Sequence, residues 1–315
     1  MKIYGTGSAL PALTVDNHML AKFMDTSDEW IRLRTGIHTR HLLSGETLTD
    51  LAAQASFAAM ENAGIGAESI DFIICATIQG DTITPGLGCA LQGAIGARCP
   101  TVDLNAACAG FLYALDMADA YIRSGKAKTI LIACADAPSR FVDWRDRATC
   151  ILFGDGAAAA VVGEGEGLLA TRLTNDCHVE KLYARTERGN SPYLEGEALP
   201  TTLVMTGQEV YKFAISHAYQ DIQWIAEHTG IGVEQFDHFF IHQANLRIVE
   251  ALRIRLDLPV DRFHSCITRT GNTSSVTVPF MLDEANRAGA LKPGDLLLMS
   301  AFGAGMTTGA CVIKW

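Results

Sequence analysis

Thr101-Val-Asp-Leu-Asn-Ala-Ala-Cys-Ala-Gly-Phe-Leu-Tyr-Ala-Leu-Asp-Met-Ala-Asp-Ala-Tyr-Ile122 reads as a β-type run feeding directly into a helix. Leu112, Leu115, Ala118 and Ile122 recur at helical spacing, and Asp116 and Asp119 supply a polar side. Between the two parts stand Cys108, Ala109 and Gly110, small residues that permit a sharp bend and leave the thiol reachable. A thiol at a helix start faces the positive end of the macrodipole and unpaired backbone N–H groups, which favour the thiolate. Cys108 is then either a nucleophile or one more small buried hydrophobe, as free cysteines commonly are. Its position alone does not choose.

Working outward, Met1 to Ser8 gives a first short strand, and Thr47-Leu-Thr-Asp50 is a capping signature opening an alanine-rich helix that stops near Gly64. Asp71–Thr77, Thr129–Ala135 and Ala157–Val162 read as buried strands. The stretch from Gly163 to Thr202 is glycine-rich, charged and weakly periodic, so loops or an irregular strand pair are expected there. The second part of the chain then repeats the first. Thr206-Gly-Gln-Glu209 reads as another capping box, and Asn62–Asp71 has its counterpart in His228–Asp237, each running into a hydrophobic strand. The Cys108 turn is matched by Arg269-Thr-Gly-Asn-Thr-Ser-Ser275, Thr129–Ala135 by Leu296–Ala301, and Ala310–Lys314 closes as a final strand. Two similar α/β halves, 1–165 and 166–315, are expected to pack into one body with chemistry where their loops meet.

Bulk composition narrows the function. The chain has 315 residues, 49% hydrophobic and 19% charged, enough to bury a large core. A net charge of −10 argues against general nucleic-acid binding, which needs a basic surface. Nine cysteines without any C-x-x-C pair read as reduced thiols, hence a cytoplasmic protein. Glycines interrupt the N-terminal run before a secretory signal forms, and no apolar run approaches membrane-spanning length. His238 and His242 lie four apart on a strand with nothing to complete a ligand set, so no metal is expected.

Three polar residues fall at strand ends: Cys108, His242 after Phe239-Phe-Ile241, and Asn272 in Gly271-Asn-Thr-Ser-Ser275. Singly, His242 reads as a hydrogen-bonded core histidine and Asn272 as a turn or cap residue. Together with the repeat they form a chemical set. A Cys thiolate attacks an acyl carbon, and His and Asn donate hydrogen bonds to a developing oxyanion or enolate. No carboxylate is evident to orient His242, so a protease-type triad is poorly supported.

Asn105-Ala-Ala-Cys-Ala-Gly-Phe111, Ile241-His-Gln-Ala-Asn-Leu-Arg247 and Gly271-Asn-Thr-Ser-Ser275 resemble the Cys, His and Asn motifs of β-ketoacyl-acyl carrier protein synthase III, a condensing enzyme of the thiolase-like superfamily. The resemblance extends to Asp25–Trp30, Arg34–Ile37, Phe153–Ala157 and Ala301–Gly305, and is poor only over about Ala170–Leu203. It implies a duplicated five-layer α-β-α-β-α fold, in agreement with the repeat.

Carried over residue by residue, the resemblance implies that Cys108 takes a primer acyl group from acyl-CoA as a thioester. His242 and Asn272 then promote decarboxylation of malonyl-carrier protein, and the carbanion attacks the Cys108 acyl group. The backbone of Cys108 and of the Gly303-Ala-Gly305 loop holds the oxyanion, and Phe302 shields the thiol. Trp30 and Arg147 sandwich the CoA adenine and Arg34 meets a CoA phosphate, while Gly207, Gln208 and Ala304 line the substrate path. Lys212, Arg247 and Arg255, with Gln243, Ala244, Asn245 and Leu246, form the docking site for an acidic acyl carrier protein, and Arg253 is a further candidate. No cofactor is implied beyond acyl-CoA as substrate, and the family is homodimeric, with the loop matching Thr84 crossing the interface.

The chain departs from the family pattern at Gln208, where Asn is frequent, and at Ala304, where Gly is usual. It also has Thr84 where a bulky Phe commonly limits the primer pocket, so primers longer or more branched than acetyl are expected. Competing readings are a secondary-metabolism homologue that starts polyketides or transfers acyl groups, a thiol hydrolase, and a non-catalytic acyl-CoA-binding regulator.

Overall fold

The computed structural model describes residues 1–186, 192–193 and 200–315. The opening stretch forms the strand Thr101–Leu104, a tight turn over Ala107–Ala109 that carries Cys108, and the helix Gly110–Arg123. That helix buries Phe111, Leu112, Ala114, Leu115, Ala118 and Ile122, the stripe that its spacing predicts. The strand lies parallel to Phe72–Ala76 at one edge of a five-stranded sheet. Across that first sheet the order is Lys2–Ala9, Gly156–Gly163, Thr129–Asp136, Phe72–Ala76, Thr101–Leu104.

A second sheet runs in the order His238–Ile241, Leu296–Gly303, Thr307–Lys314, Leu168–Asn175. Read from its other edge it reproduces four strands of the first, and only the bridge Phe239↔Phe263 marks the fifth position. The repeat seen in the sequence is therefore structural. One expectation needs correction: Leu168–Asn175 is a full strand paired antiparallel with Thr307–Lys314, not part of a loop region. Its interrupted apolar pattern hid it, because its pairing partner lies at the far end of the chain. A short pair does occur, but it joins Leu182–Tyr183 to Val204–Met205, which lies just beyond the expected stretch. The remainder of the poorly matching region, 187–191 and 194–199, lies outside the described residues.

The layers stack as α-β-α-β-α. Helices Gly110–Arg123 and Thr277–Arg287 fill the space between the sheets, packing Phe111, Leu115, Met281 and Leu282 against Ile132 and Met299. Leu48–Ala63 and Leu87–Ile95 cover the outer face of the first sheet, and Gly207–Thr229 and Leu246–Leu256 that of the second. Among the described residues, no helix is long and apolar enough to cross a membrane.

The first capping box is real: Thr47 Oγ1 accepts from Asp50 N–H at 3.1 Å, and the Asp50 carboxylate accepts from Thr47 N–H at 2.9 Å. The bond from Thr47 N–H, with another from the Thr47 hydroxyl at 2.7 Å, holds the Asp50 carboxyl below its ordinary value. Thr47→Ala is expected to lower stability by about 1 kcal/mol, read from the denaturant midpoint. The second box is not formed. Thr206 makes no side-chain cap bond, its ψ of 82° falling short of the extended cap geometry, and Glu209 faces Lys212 instead.

Candidate active site

Both halves present the same turn at the sheet ends. In the first, Asn105 Oδ1 accepts from Ala107 N–H at 3.1 Å, and in the second Asn272 Oδ1 accepts from Ser274 N–H at 2.8 Å. Ala107 and Ser274 both adopt positive φ, 46° and 55°. Each turn leads through a short 3-10 segment into a central helix. Asn272 thus pairs with Asn105 and Cys108 with Ser275, which refines the equivalence expected from the repeat.

Asn272 is fixed from the other half of the molecule. Its N–H donates to Leu152 O at 2.8 Å, and its carbonyl accepts from Gly154 N–H at 3.0 Å. A Cβ on Gly154 would lie 2.0 Å from Thr270 O, so this approach requires glycine. Behind the same segment the fully buried Arg40 donates to Ile151 O at 2.9 Å and to Asn17 Oδ1 at 2.8 Å. Because the Asn272 side-chain oxygen is committed to Ser274, its amide nitrogen remains for a ligand.

Cys108, His242 and Asn272 line one cavity of about 840 Å³, together with Ser274, Phe302, Gly303 and Ala304. His242 is 1% exposed and neither ring nitrogen has a hydrogen-bond partner among the described residues. Phe302 meets the imidazole edge-on with centroids 5.1 Å apart. Burial pushes His242 down to about 3, so the ring is neutral at ordinary pH. Burial also pushes the Cys108 thiol up to about 12, opposed by its hydrogen bond to Ser274 and reinforced by the Asp136 charge. Desolvation is the largest influence on the Cys108 thiol and works against the thiolate, so in the resting site a neutral thiol shares the cavity with a neutral imidazole. Gly303 packs so closely that a Cβ there would sit 2.7 Å from Cys108 N, which brings the two backbone segments together. Ala304 keeps a negative φ, so its methyl group is tolerated where glycine was expected.

The outer part of the cavity is aromatic and basic. Trp30, on the helix Asp28–Thr35, lies beneath both Arg34 and Arg147, whose guanidinium carbons stand 4.8 Å and 5.0 Å from its ring centroid. Gly207, Gln208, Lys212, Ala244, Asn245 and Arg247 complete this region. Thr84 does not line the cavity; it sits on an exposed loop beside Ile83, which is 91% exposed.

Several residues expected at a docking surface have other work. Gln243 is fully buried: its oxygen accepts from Ser265, Cys266 and Ile267, and its nitrogen donates to His264 O. It cannot meet a partner without breaking that set, and its role is structural. Asn245 caps the helix Leu246–Leu256 and donates to Arg34 O at 3.0 Å, tying the two halves together at the mouth. Leu246 packs against Gly36. Arg253 is held by Glu250 and Leu258 O. Lys212, Arg247 and Arg255 stay exposed, Arg255 lying over the Tyr219 ring at 4.0 Å. All nine cysteines are unpaired. Sequence reasoning missed Ser274, although it lies two residues after Asn272 in a motif already singled out, and it missed Arg40 entirely.

Known proteins resemble this chain over its whole length. Residues 102–177 match the model for 3-oxoacyl-[acyl-carrier-protein (ACP)] synthase III, and residues 226–315 match that for its C-terminal part. The β-ketoacyl-[acyl-carrier-protein] synthase III of Xanthomonas campestris is 43% identical, covering 100% of this chain and 98% of that protein. The crystal structure of the Aquifex aeolicus 3-oxoacyl-[acyl-carrier-protein] synthase III superposes with a TM-score of 0.93 at 39% identity, covering 100% and 99% of the two chains. That of Thermus thermophilus gives 0.94 at 37% identity, again covering 100% and 99%. With matches to both halves and full-length identity well above what fold similarity alone carries, the chain belongs to the β-ketoacyl-acyl carrier protein synthase III family of thiolase-like condensing enzymes.

Proposed function

We propose that this cavity joins an acyl-CoA primer to malonyl-acyl carrier protein through a thioester on Cys108, the step that starts a fatty-acid chain. The observation that carries the proposal is the convergence of Cys108, His242 and Asn272, from opposite halves, on one cavity whose mouth bears Trp30 under two arginines. The Cys108 sulfur attacks the primer carbonyl, its proton leaves with the departing CoA thiol, and an acyl-Cys108 thioester remains. Backbone N–H groups of Cys108 and the 303–305 loop receive the tetrahedral oxyanion, one such donor typically contributing about 3 kcal/mol.

Malonyl-carrier protein then loses CO2, and the enolate oxygen accepts hydrogen bonds from the His242 ring and the Asn272 amide nitrogen. The neutral state of His242 suits this role, since it donates without needing a proton from solvent. The carbanion attacks the acyl carbon, and Cys108 leaves as the free thiol after recovering a proton. Phe302, edge-on to His242 in the wall of the same cavity, is the apolar group assigned to keep water from the thioester.

Trp30 and Arg147 hold the CoA adenine. They now stack on each other, so the base must part them. Arg34 meets a phosphate, and exposed Lys212, Arg247 and Arg255 receive the acidic carrier protein. A homodimer would give the exposed Ile83–Thr84 loop, which does not line its own cavity, a place at the subunit interface. The unpaired cysteines favour a cytoplasmic setting.

Intact-protein mass spectrometry with a panel of acyl-CoAs tests the reading. Wild type should gain one acyl mass at Cys108, with medium-chain or branched primers surpassing acetyl, and Cys108→Ala should gain none. Absence of any adduct would sink the mechanism, and a preference for acetyl over every longer primer would remove the role given to Thr84.

A further inference from the structure

The side chain that meets the Cys108 thiol is Ser274, its Oγ 3.5 Å from Sγ. Ser274 is buried, yet it holds φ at +55°, in the left-handed region that side chains other than glycine rarely occupy. The turn itself does not need a hydroxyl. Ala107 makes the equivalent turn in the first half at φ +46°, with the same bond from its N–H to an asparagine two residues earlier. Glycine would relax the backbone at 274, so the strained serine is explained by what its side chain touches. The Ser274 hydroxyl also faces the Asp136 carboxylate, to which Ser275 Oγ donates at 2.7 Å, but of the two serines Ser274 is the one that meets the Cys108 sulfur.

We propose that Ser274 is a catalytic residue for the first half-reaction: its hydroxyl accepts the Cys108 S–H in the resting enzyme and turns to donate to the thiolate once the proton has left. A hydroxyl carries one donor and two acceptor positions, so the same oxygen serves both states. The bond opposes the upward push of burial on the thiol. Through its N–H on Asn272 Oδ1, Ser274 also keeps the Asn272 amide nitrogen directed away from the turn, linking the nucleophile to the enolate site through one residue. The inference rests on the reading of Cys108 as the acylated nucleophile.

The test uses Ser274→Gly, which removes the hydroxyl while easing the backbone, and Ser274→Thr, which restores a hydroxyl. Alkylation of Cys108 by iodoacetamide is followed between pH 6 and 9 by the mass of the Cys108 peptide, alongside acylation by acyl-CoA and thermal unfolding. Ser274→Gly is expected to melt no lower than wild type but to alkylate and acylate about three- to tenfold more slowly across the range. That figure is the loss of thiolate partly offset by the greater nucleophilicity of a more basic sulfur. Ser274→Thr should recover most of the rate. Wild-type alkylation rates in a folded Ser274→Gly protein would overturn the inference and leave the acyl-Cys108 reading standing. Absence of an acyl adduct on wild type would overturn that reading itself.

Discussion

Asn272→Ala and His242→Ala are each expected to slow malonyl-carrier-protein decarboxylation by about 10²–10³-fold, the loss that follows removal of one donor to a developing oxyanion. Acylation of Cys108 by acyl-CoA should continue in both variants, because that step uses the thiol and backbone N–H groups. The separation is what the geometry demands. Asn272 spends its oxygen on Ser274 and keeps only its nitrogen for substrate, and His242 has no partner among the described residues for either ring nitrogen. CO2 release and the acyl-Cys108 mass, measured on the same preparation, check it; equal loss of both would place His242 or Asn272 in the first half-reaction instead. A pH consequence accompanies the burial of His242. The folded ring protonates only near 3, whereas an unfolded one protonates near 6.5. Decarboxylation should show no imidazole limb between pH 5 and 8. Stability contributed by the neutral ring is complete above 6.5 and is lost as pH falls from there towards 3, because the unfolded chain binds the proton first.

Gly154→Ala should destabilise the protein by about 3 kcal/mol or more, the scale of a forced backbone shift in a filled core. The new Cβ would lie 2.0 Å from Thr270 O and 3.2 Å from Arg40 Cβ, leaving no flexible side-chain end to yield. Relief requires moving the 152–154 segment away from 270–272, which breaks the paired bonds that set Asn272. Chemical denaturation and CO2 release measure the two consequences. A variant with the wild-type midpoint and wild-type decarboxylation would show that the segment bends without disturbing the site.

Much of this was legible in the chain because it is local or repeated. The strand, turn and helix around Cys108 follow from small residues between two periodic stretches, and the second half announces itself by a matching order of motifs. The strand Leu168–Asn175 was not legible, since Thr171 and Arg172 interrupt its apolar pattern and its partner strand begins at Thr307. The box at Thr206 failed because residue types at cap spacing do not fix ψ. Gln243 and Asn245 show a further limit: a motif gives the residues of a loop but not which of them turn inward, and these two satisfy backbone groups rather than a partner. The height of the Cys108 thiol pKa depends on how much of the surrounding wall is apolar, a property of residues scattered from Ile78 to Met306.

The matched turns at Asn105 and Asn272 lie on different halves, with one supplying the sulfur and the other the amide. On the proposed mechanism neither half alone holds the full set of groups. Catalysis therefore measures registration between the two halves, and a slip of either copy against the other would extinguish it while leaving both sheets, and any spectroscopic signal of secondary structure, intact. Loss of turnover should precede loss of helix and strand signal wherever the seam is the first part of the molecule to loosen.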